Sequence, residues 1–504
     1  MRVPSRLLLL LTLAAVVLGA VWRWQHLATR PLHTDEAVQA WQTWQLLRGE
    51  GYRYDPVDRH GPWLYYGAAA LERIRGGDAT TFDDQRARTF VWLAGLLTLL
   101  LVAIAAHRLL GPLPAFFATS VLAAAPLAVL YHTYFVQEAW LTLFTWSLLF
   151  AVAAWQHRPR LGLAVAGGVC IGLMQVTKET SVLHFAALLF AGWFAPRFLF
   201  RQGTCALPGL SRRDTVRHLA AAGVAALVIY VAFYSGFGRH PGGVLDGMLT
   251  YLHQWQRAGD AEHTYPFLHY LRILLPHRAG GVRWGEPALL AFALGGAALA
   301  LARPAAPALR LVALFTIALI GVYSLIPYKT PWLFLTPAVG LALLAGQGLA
   351  ALARVHRRGL ILAVVAGVAT VAQLTNRTRL ALERYPGDER NPYFYQQTPR
   401  GFTRAVDRVE ELAAVSPAPL AIAVVSPDYA WPLPWYWRNY SQVGYYTTPP
   451  AASEPFDVLV WDSRLEPPES WPEGAMVELH GLRPNVILQL VIQEALWQRW
   501  EAAR

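Results

Sequence analysis

Apolar stretches long enough to cross a bilayer recur along this chain from its N-terminus and stop abruptly near residue 375. A span needs about 20 mostly apolar residues. Segments of that kind fall near 7–24, 88–106, 113–130, 139–155, 161–177, 180–196, 218–236, 286–303, 310–326, 331–349 and 359–375, which makes eleven. The composition agrees: of 504 residues 55% are hydrophobic and only 15% charged, too apolar for a soluble globular chain of this size. The sequence therefore predicts a mainly α, polytopic transmembrane bundle over 1–375, followed by a small α/β domain over 376–504.

The formal charge of +11 raises nucleic-acid binding as an option, but the placement of the charges argues against it. Alternate connections carry Arg2 and Arg6, Arg108, Arg158 and Arg160, Arg197 to Arg217, Arg303 and Arg310, and Arg354 to Arg358, with Asp214 their only acid. The positive-inside rule puts these in the cytoplasm. The first loop (25–87), 131–138, 237–285, 327–330 and everything after 375 then lie outside, with nearly all the acids. The expectation is a multi-pass protein of the plasma (inner) membrane, with a cytoplasmic N-terminus and an extracytoplasmic C-terminal domain. Residues 7–21 lack a clear small-residue cleavage site and are read as the first span. Cys170 lies inside a span and Cys205 in a cytoplasmic loop, so no disulfide is expected, and no redox or zinc motif exists.

The first outer loop is not a simple linker. His33-Thr34-Asp35-Glu36 precedes a helical pattern of Ala37, Ala40, Trp41, Trp44 and Leu47 that stops at Gly49 and Gly51. A second helix is expected from Pro62. The apolar run 161–196 is too long for one crossing and must turn at Thr177-Lys178-Glu179-Thr180. That break and Ile326-Pro-Tyr-Lys329-Thr-Pro-Trp332 each carry a lysine, and the chain contains no others. After residue 375 come a helical stretch near 400–414, strands near 421–425, 443–447 and 456–461, and a segment 486–500 that fits strand or helix.

Ionisable groups at a bilayer cost several kcal/mol unless they line a wet cavity, so they mark functional sites by default. Asp35, Glu36, His60, Glu138, Lys178, Glu179 and Lys329 all map to the outer ends of spans or to outer loops. A carboxylate there can serve as a general base, and lysines can hold a lipid phosphate. Each also has a plainer reading. Asp35 and Glu36 fit first-turn acids behind a Thr34 cap, Lys178 and Glu179 an exposed turn or ion pair, Glu138 an interface marker, and His60-Gly-Pro a turn. Trp431, Trp435, Tyr436 and Trp437 offer flat faces for sugar rings, or form local core.

Taken in order, His33-Thr-Asp-Glu-Ala37, Tyr52-Arg-Tyr-Asp-Pro56, His60-Gly-Pro62, Lys178-Glu179, Pro327-Tyr-Lys-Thr-Pro-Trp332 and Trp431-Pro-Leu-Pro-Trp-Tyr436 resemble the prokaryotic flippase-activity-associated family of the GT-C superfamily. In layout the chain is similar to protein O-mannosyltransferases. The resemblance implies an inverting glycosyltransferase moving a sugar from a polyprenyl-phosphate donor to a cell-envelope glycan, lipid or protein acceptor at the outer face. Asp35 would then be the base, with Glu36 supporting it or facing away. Glu138 would take the second acidic position, which orients the acceptor or, in some members, helps bind a divalent metal, the one cofactor the resemblance suggests. His60 would replace part of the family's element near the donor phosphate. Charge and side, rather than the resemblance, make Lys178, Glu179 and Lys329 further candidates to meet the donor, and flat aromatic faces make Trp435 and Tyr436 candidates to meet acceptor or glycan. The rival reading is a non-catalytic accessory to flipping of lipid-linked sugars.

Overall fold

The computed structural model describes residues 4–57, 59–199, 210–257, 264–302, 307–428, 430–449 and 456–504; Cys205 and Arg303 lie outside them. The described residues form two compact units, Met1–Leu27 with Thr43–Arg384, and Ala28–Gln42 with Tyr385–Arg504.

In the first unit, apolar helices stand at all eleven expected positions. They are α1 (Ser5–Gln25), then, beyond the loop helices α2 (Thr34–Leu47) and α3 (Trp63–Ile74), α4 (Asp84–Leu109), the pair α5 (Pro112–Ala124) and α6 (Pro126–Tyr131), and α7 (Glu138–His157). α8 (Leu161–Gln175), α9 (Ser181–Leu199) and α10 (Arg212–Tyr234) follow. After α11 (Gly243–Arg257), α12 (His269–Leu274) and a hairpin of β1 (His277–Ala279) and β2 (Val282–Trp284) come α13 (Pro287–Ala302), α14 (Pro307–Leu325), α15 (Leu335–Leu352) and α16 (Gly359–Arg379). Seven of these are long and apolar enough to cross a membrane, while α5, α8, α9 and α13 are shorter apolar helices. The chain is a multi-pass membrane protein. Its last helix runs on through a π turn, Leu380–Arg384, past the boundary expected at 375.

One expected span is broken. Proline at 126 has no N–H for the Leu122 carbonyl and forces Ala125 into an extended conformation (φ −66°, ψ 127°), splitting α5 from α6. Apolar surroundings cannot hydrate the freed carbonyls. Arg23, fully buried on α1, supplies the missing donors: Nη2 bonds Leu122 O at 3.0 Å and Nη1 bonds Ala123 O at 3.1 Å. Thr378 Oγ1 takes Ala124 O at 2.7 Å. Thr378 is thus engaged and buried within α16, so the sequon-like Asn376-Arg-Thr378 does not sit on a surface loop.

The second unit is a five-stranded sheet in the order β4-β3-β5-β7-β6. Its strands are β3 (Ile422–Val425), β4 (Val443–Tyr446), β5 (Val458–Asp462), β6 (Met476–Arg483) and β7 (Val486–Ile492). β3 runs parallel to both neighbours and is buried along its whole length, as a run of Ile, Ala, Val and Val with no polar alternation predicts. The helix α17 (Thr403–Val415) buries Ala405, Val406, Val409 and Leu412, a helical stripe facing the core. The short turn α18 (Leu433–Tyr436) follows β3, and the ambiguous segment 486–500 divides into β7 and α19 (Glu494–Ala502). Unannounced by sequence is β6, an edge strand whose mixed polarity reflects one half-open side.

Candidate active site

In the first unit, two acid–base pairs meet at the ends of α7, α8 and α9. α7 opens on Glu138, whose carboxylate suits a helix N-terminus. The turn between α8 and α9 delivers Lys178 and Glu179. Lys178 Nζ pairs with Glu138 Oε1, and Glu179 Oε2 lies 3.0 Å from His60 Nδ1. Lys178 and Glu179 are each only 6% exposed, so these are not solvated turn residues. Glu138 Oε2 is buried and has no hydrogen-bond partner among the described residues. A buried carboxylate oxygen without a donor is costly in a folded protein and is the kind of group a ligand satisfies.

His60 reaches Glu179 because its segment lies directly against the end of α8. Trp63 N–H donates to Val176 O at 2.9 Å. A Cβ on Gly61 would stand 2.3 Å from the same carbonyl oxygen, which leaves room only for glycine. Gly61→Ala is expected to lower stability by about 1–3 kcal/mol, which thermal unfolding in detergent reads.

Burial alone would raise the Glu179 carboxyl, but the positive charges of His60 and Lys178 and the His60 hydrogen bond outweigh it, bringing it from an ordinary 4.5 to about 2. Burial would likewise lower the Lys178 ammonium, yet Glu138 and Glu179 hold it above its usual value. A depressed carboxyl stabilises the fold above its unfolded value, and that contribution disappears as pH falls through the folded one. The stability difference between wild type and Glu179→Gln should therefore shrink as pH falls from 4.5 toward about 2. An unfolding series across that window checks it; a pH-independent difference would contradict the pairing.

Lys329 lies between α14 and α15, 1% exposed. Its Nζ donates to Tyr265 O at 3.1 Å and Ile326 O at 2.5 Å, with no carboxylate in ion-pair range among the described residues. Burial lowers its ammonium from the usual value.

Beneath this layer sits a residue the sequence reading passed over. His184 on α9 is buried, with Nδ1 2.7 Å from Thr145 Oγ1 on α7 and Nε2 2.7 Å from Tyr323 Oη on α14. Those three helices flank or carry Glu138, Lys178 with Glu179, and Lys329. A histidine inside an apolar run is itself a signal in a membrane helix.

In the second unit, Asp35 and Glu36 separate by role. His33, not Thr34, caps α2: its carbonyl accepts the Ala37 N–H at 2.9 Å and its Nδ1 accepts the Asp35 N–H at 3.0 Å. Glu36 turns back so that Oε2 accepts the His33 N–H at 3.0 Å, the reciprocal half of a capping box. Its Oε1 lies 3.5 Å from Arg30 Nη2, both side chains being buried. Burial lowers His33 from its usual 6.5, against the pull of Asp35 and Glu36. An Nδ1 that accepts a backbone N–H carries no proton, so the 3.9 Å approach of Asp35 Oδ2 to that atom is no ion pair. The Asp35 carboxylate, 47% exposed, is the acid left open.

Trp435, expected to stack on sugar, is fully buried with the Arg438 guanidinium 3.8 Å over its ring. It is core. Tyr436 is half-buried, and its hydroxyl accepts the Leu32 N–H at 2.9 Å. Among the described residues no three His, Cys, Asp or Glu side chains are grouped to hold a metal ion, and the Glu138 carboxylate is paired with an ammonium.

Comparison with known proteins agrees with this architecture. Residues 60–210 match the dolichyl-phosphate-mannose-protein mannosyltransferase family. No curated protein matches the chain. Among solved structures, ArnT from Cupriavidus metallidurans bound to undecaprenyl phosphate has a TM-score of 0.62 at 16% identity, covering 97% of this chain and 98% of that one. The archaeal oligosaccharyltransferase AglB from Archaeoglobus fulgidus, in complex with an inhibitory peptide and a dolichol-phosphate, has a TM-score of 0.50 at 13% identity, covering 84% of this chain and 63% of that one. The chain thus shares the fold of ArnT, and over residues 60–210 it is similar to the protein mannosyltransferase family.

Proposed function

We propose that this protein is a glycosyltransferase that moves a sugar from a polyprenyl-phosphate donor to a hydroxyl of a cell-envelope glycan, lipid or protein, at the extracytoplasmic face of the plasma membrane. The observation that carries the reading is the cluster of buried Lys178, Glu138 and Glu179 with half-buried His60 at the ends of apolar helices, in a fold shared with a protein solved with undecaprenyl phosphate. Charges kept there at such cost suit a charged lipid headgroup.

In the proposed reaction the Asp35 carboxylate removes the proton from the acceptor hydroxyl. The acceptor oxygen forms a bond to the anomeric carbon from the side opposite the phosphate, and the bond from that carbon to the phosphate oxygen breaks with inversion. The departing polyprenyl phosphate keeps the electron pair. Lys178, Lys329 and His60 hold its negative charge as it leaves, while Glu36 supports the base through the helix cap. No step needs a metal at Glu138, whose carboxylate is already paired with Lys178.

The test is transfer of labelled sugar from polyprenyl-phosphate donors to cell-envelope acceptors by the purified protein. Transfer with an inverted anomeric product supports the proposal. Tight donor binding with no transfer from any donor would favour the accessory to lipid-linked sugar flipping instead.

A further inference from the structure

The segment Ala28–Gln42, which carries Asp35, is part of the same compact unit as Tyr385–Arg504. More than 340 residues of sequence separate the two pieces, so side-chain contacts rather than chain continuity fix where the acid sits. Those contacts are specific. Gln397 Nε2 donates to Pro31 O at 3.3 Å, Tyr436 Oη accepts from Leu32 N at 2.9 Å, and Thr34 Oγ1 donates to Trp431 O at 3.4 Å. Trp41 meets Trp431 edge to face at 6.1 Å. Four successive points on the segment are thus held by residues of the C-terminal domain.

We infer that the C-terminal domain serves to position the Asp35 turn, and that Tyr436 is its principal positioning residue. The inference rests on the reading of Asp35 as the base. Leu32 is fully buried, so its N–H cannot turn to water if the tyrosine hydroxyl is lost. It stands three residues before Asp35 and one before the helix cap. The Tyr436 ring meets Phe402 at 5.6 Å and packs on the domain core. Phenylalanine keeps that packing and removes the hydroxyl that accepts the Leu32 N–H, so Tyr436→Phe tests the tether apart from the ring packing. A base held within a few tenths of an ångström transfers protons efficiently, and a shift of about 1 Å costs up to roughly a hundredfold in rate. The C-terminal domain on this view acts in the chemical step, through Asp35.

The experiment compares full-length wild type, Tyr436→Phe and Asp35→Asn in two readouts. Hydrogen exchange over residues 28–42 reports the tether without reference to activity. Steady-state transfer reports kcat and KM for the polyprenyl-phosphate donor. Faster exchange in Tyr436→Phe, with kcat down roughly 10- to 100-fold and donor KM unchanged, is the expected result. A merely structural role would lower the unfolding temperature and raise KM together. Wild-type exchange or wild-type kcat in Tyr436→Phe overturns the inference. Full turnover by Asp35→Asn would overturn the base assignment itself, and the exchange data would still show whether Tyr436 holds the segment.

Discussion

Asp35→Asn is expected to lower kcat by about 10²- to 10⁴-fold and to leave donor affinity close to that of wild type. The reason is the division of labour within the first turn of α2. Glu36 is buried, with one oxygen on the His33 N–H and the other near Arg30, so both of its oxygens are engaged in holding the turn. Asp35 contributes only its backbone N–H to the cap and keeps its carboxylate exposed. Asparagine preserves that N–H and the side-chain shape but cannot accept a proton. Glu36→Gln should behave differently. It keeps an acceptor for the cap and loses the charge facing a buried arginine, so stability falls first and activity follows it. Steady-state kinetics with unfolding curves on both variants separate the cases; an Asp35→Asn enzyme with normal kcat would remove the base from the mechanism.

Lys178→Met is expected to destabilise the protein by about 3–5 kcal/mol and to abolish detectable binding of polyprenyl phosphate. The two effects have separate causes. Removing the ammonium leaves Glu138 as a buried carboxylate whose second oxygen already lacks a partner among the described residues. It also removes a buried cation proposed to meet the donor phosphate. The double variant Lys178→Met/Glu138→Gln distinguishes them: a neutral pair of similar volume should recover most of the stability, because replacing both members of a buried ion pair is often close to neutral. Binding should not return. Recovery of binding with stability would show that Lys178 serves the fold alone.

Membrane embedding was legible residue by residue, because a bilayer demands long apolar runs and the chain supplies them in plain order. The functional layer was legible in part for the same reason. Only two lysines occur in the chain, both at breaks between spans, and charge at such positions has to be explained. His184 gave the same signal, a polar residue within an apolar run, and went unread because its partners, Thr145 and Tyr323, are 39 and 139 residues away. The Pro126 break was visible as a proline; that Arg23 would cover its carbonyls was not.

By itself, then, the sequence determined the number and order of apolar helices, the α/β character of the C-terminal region, and the short set of ionisable groups from which a site must be drawn. Tertiary structure alone decided pairing and role: Lys178 with Glu138, Glu179 with His60, Glu36 turned inward and Asp35 left open, Trp435 placed in the core. The reason is the range of the forces involved. Partition into lipid is set by each segment's own composition, summed over about 20 neighbouring residues. An ion pair or a capped turn depends on atoms that meet within about 3 Å, and only the folded chain brings those atoms together.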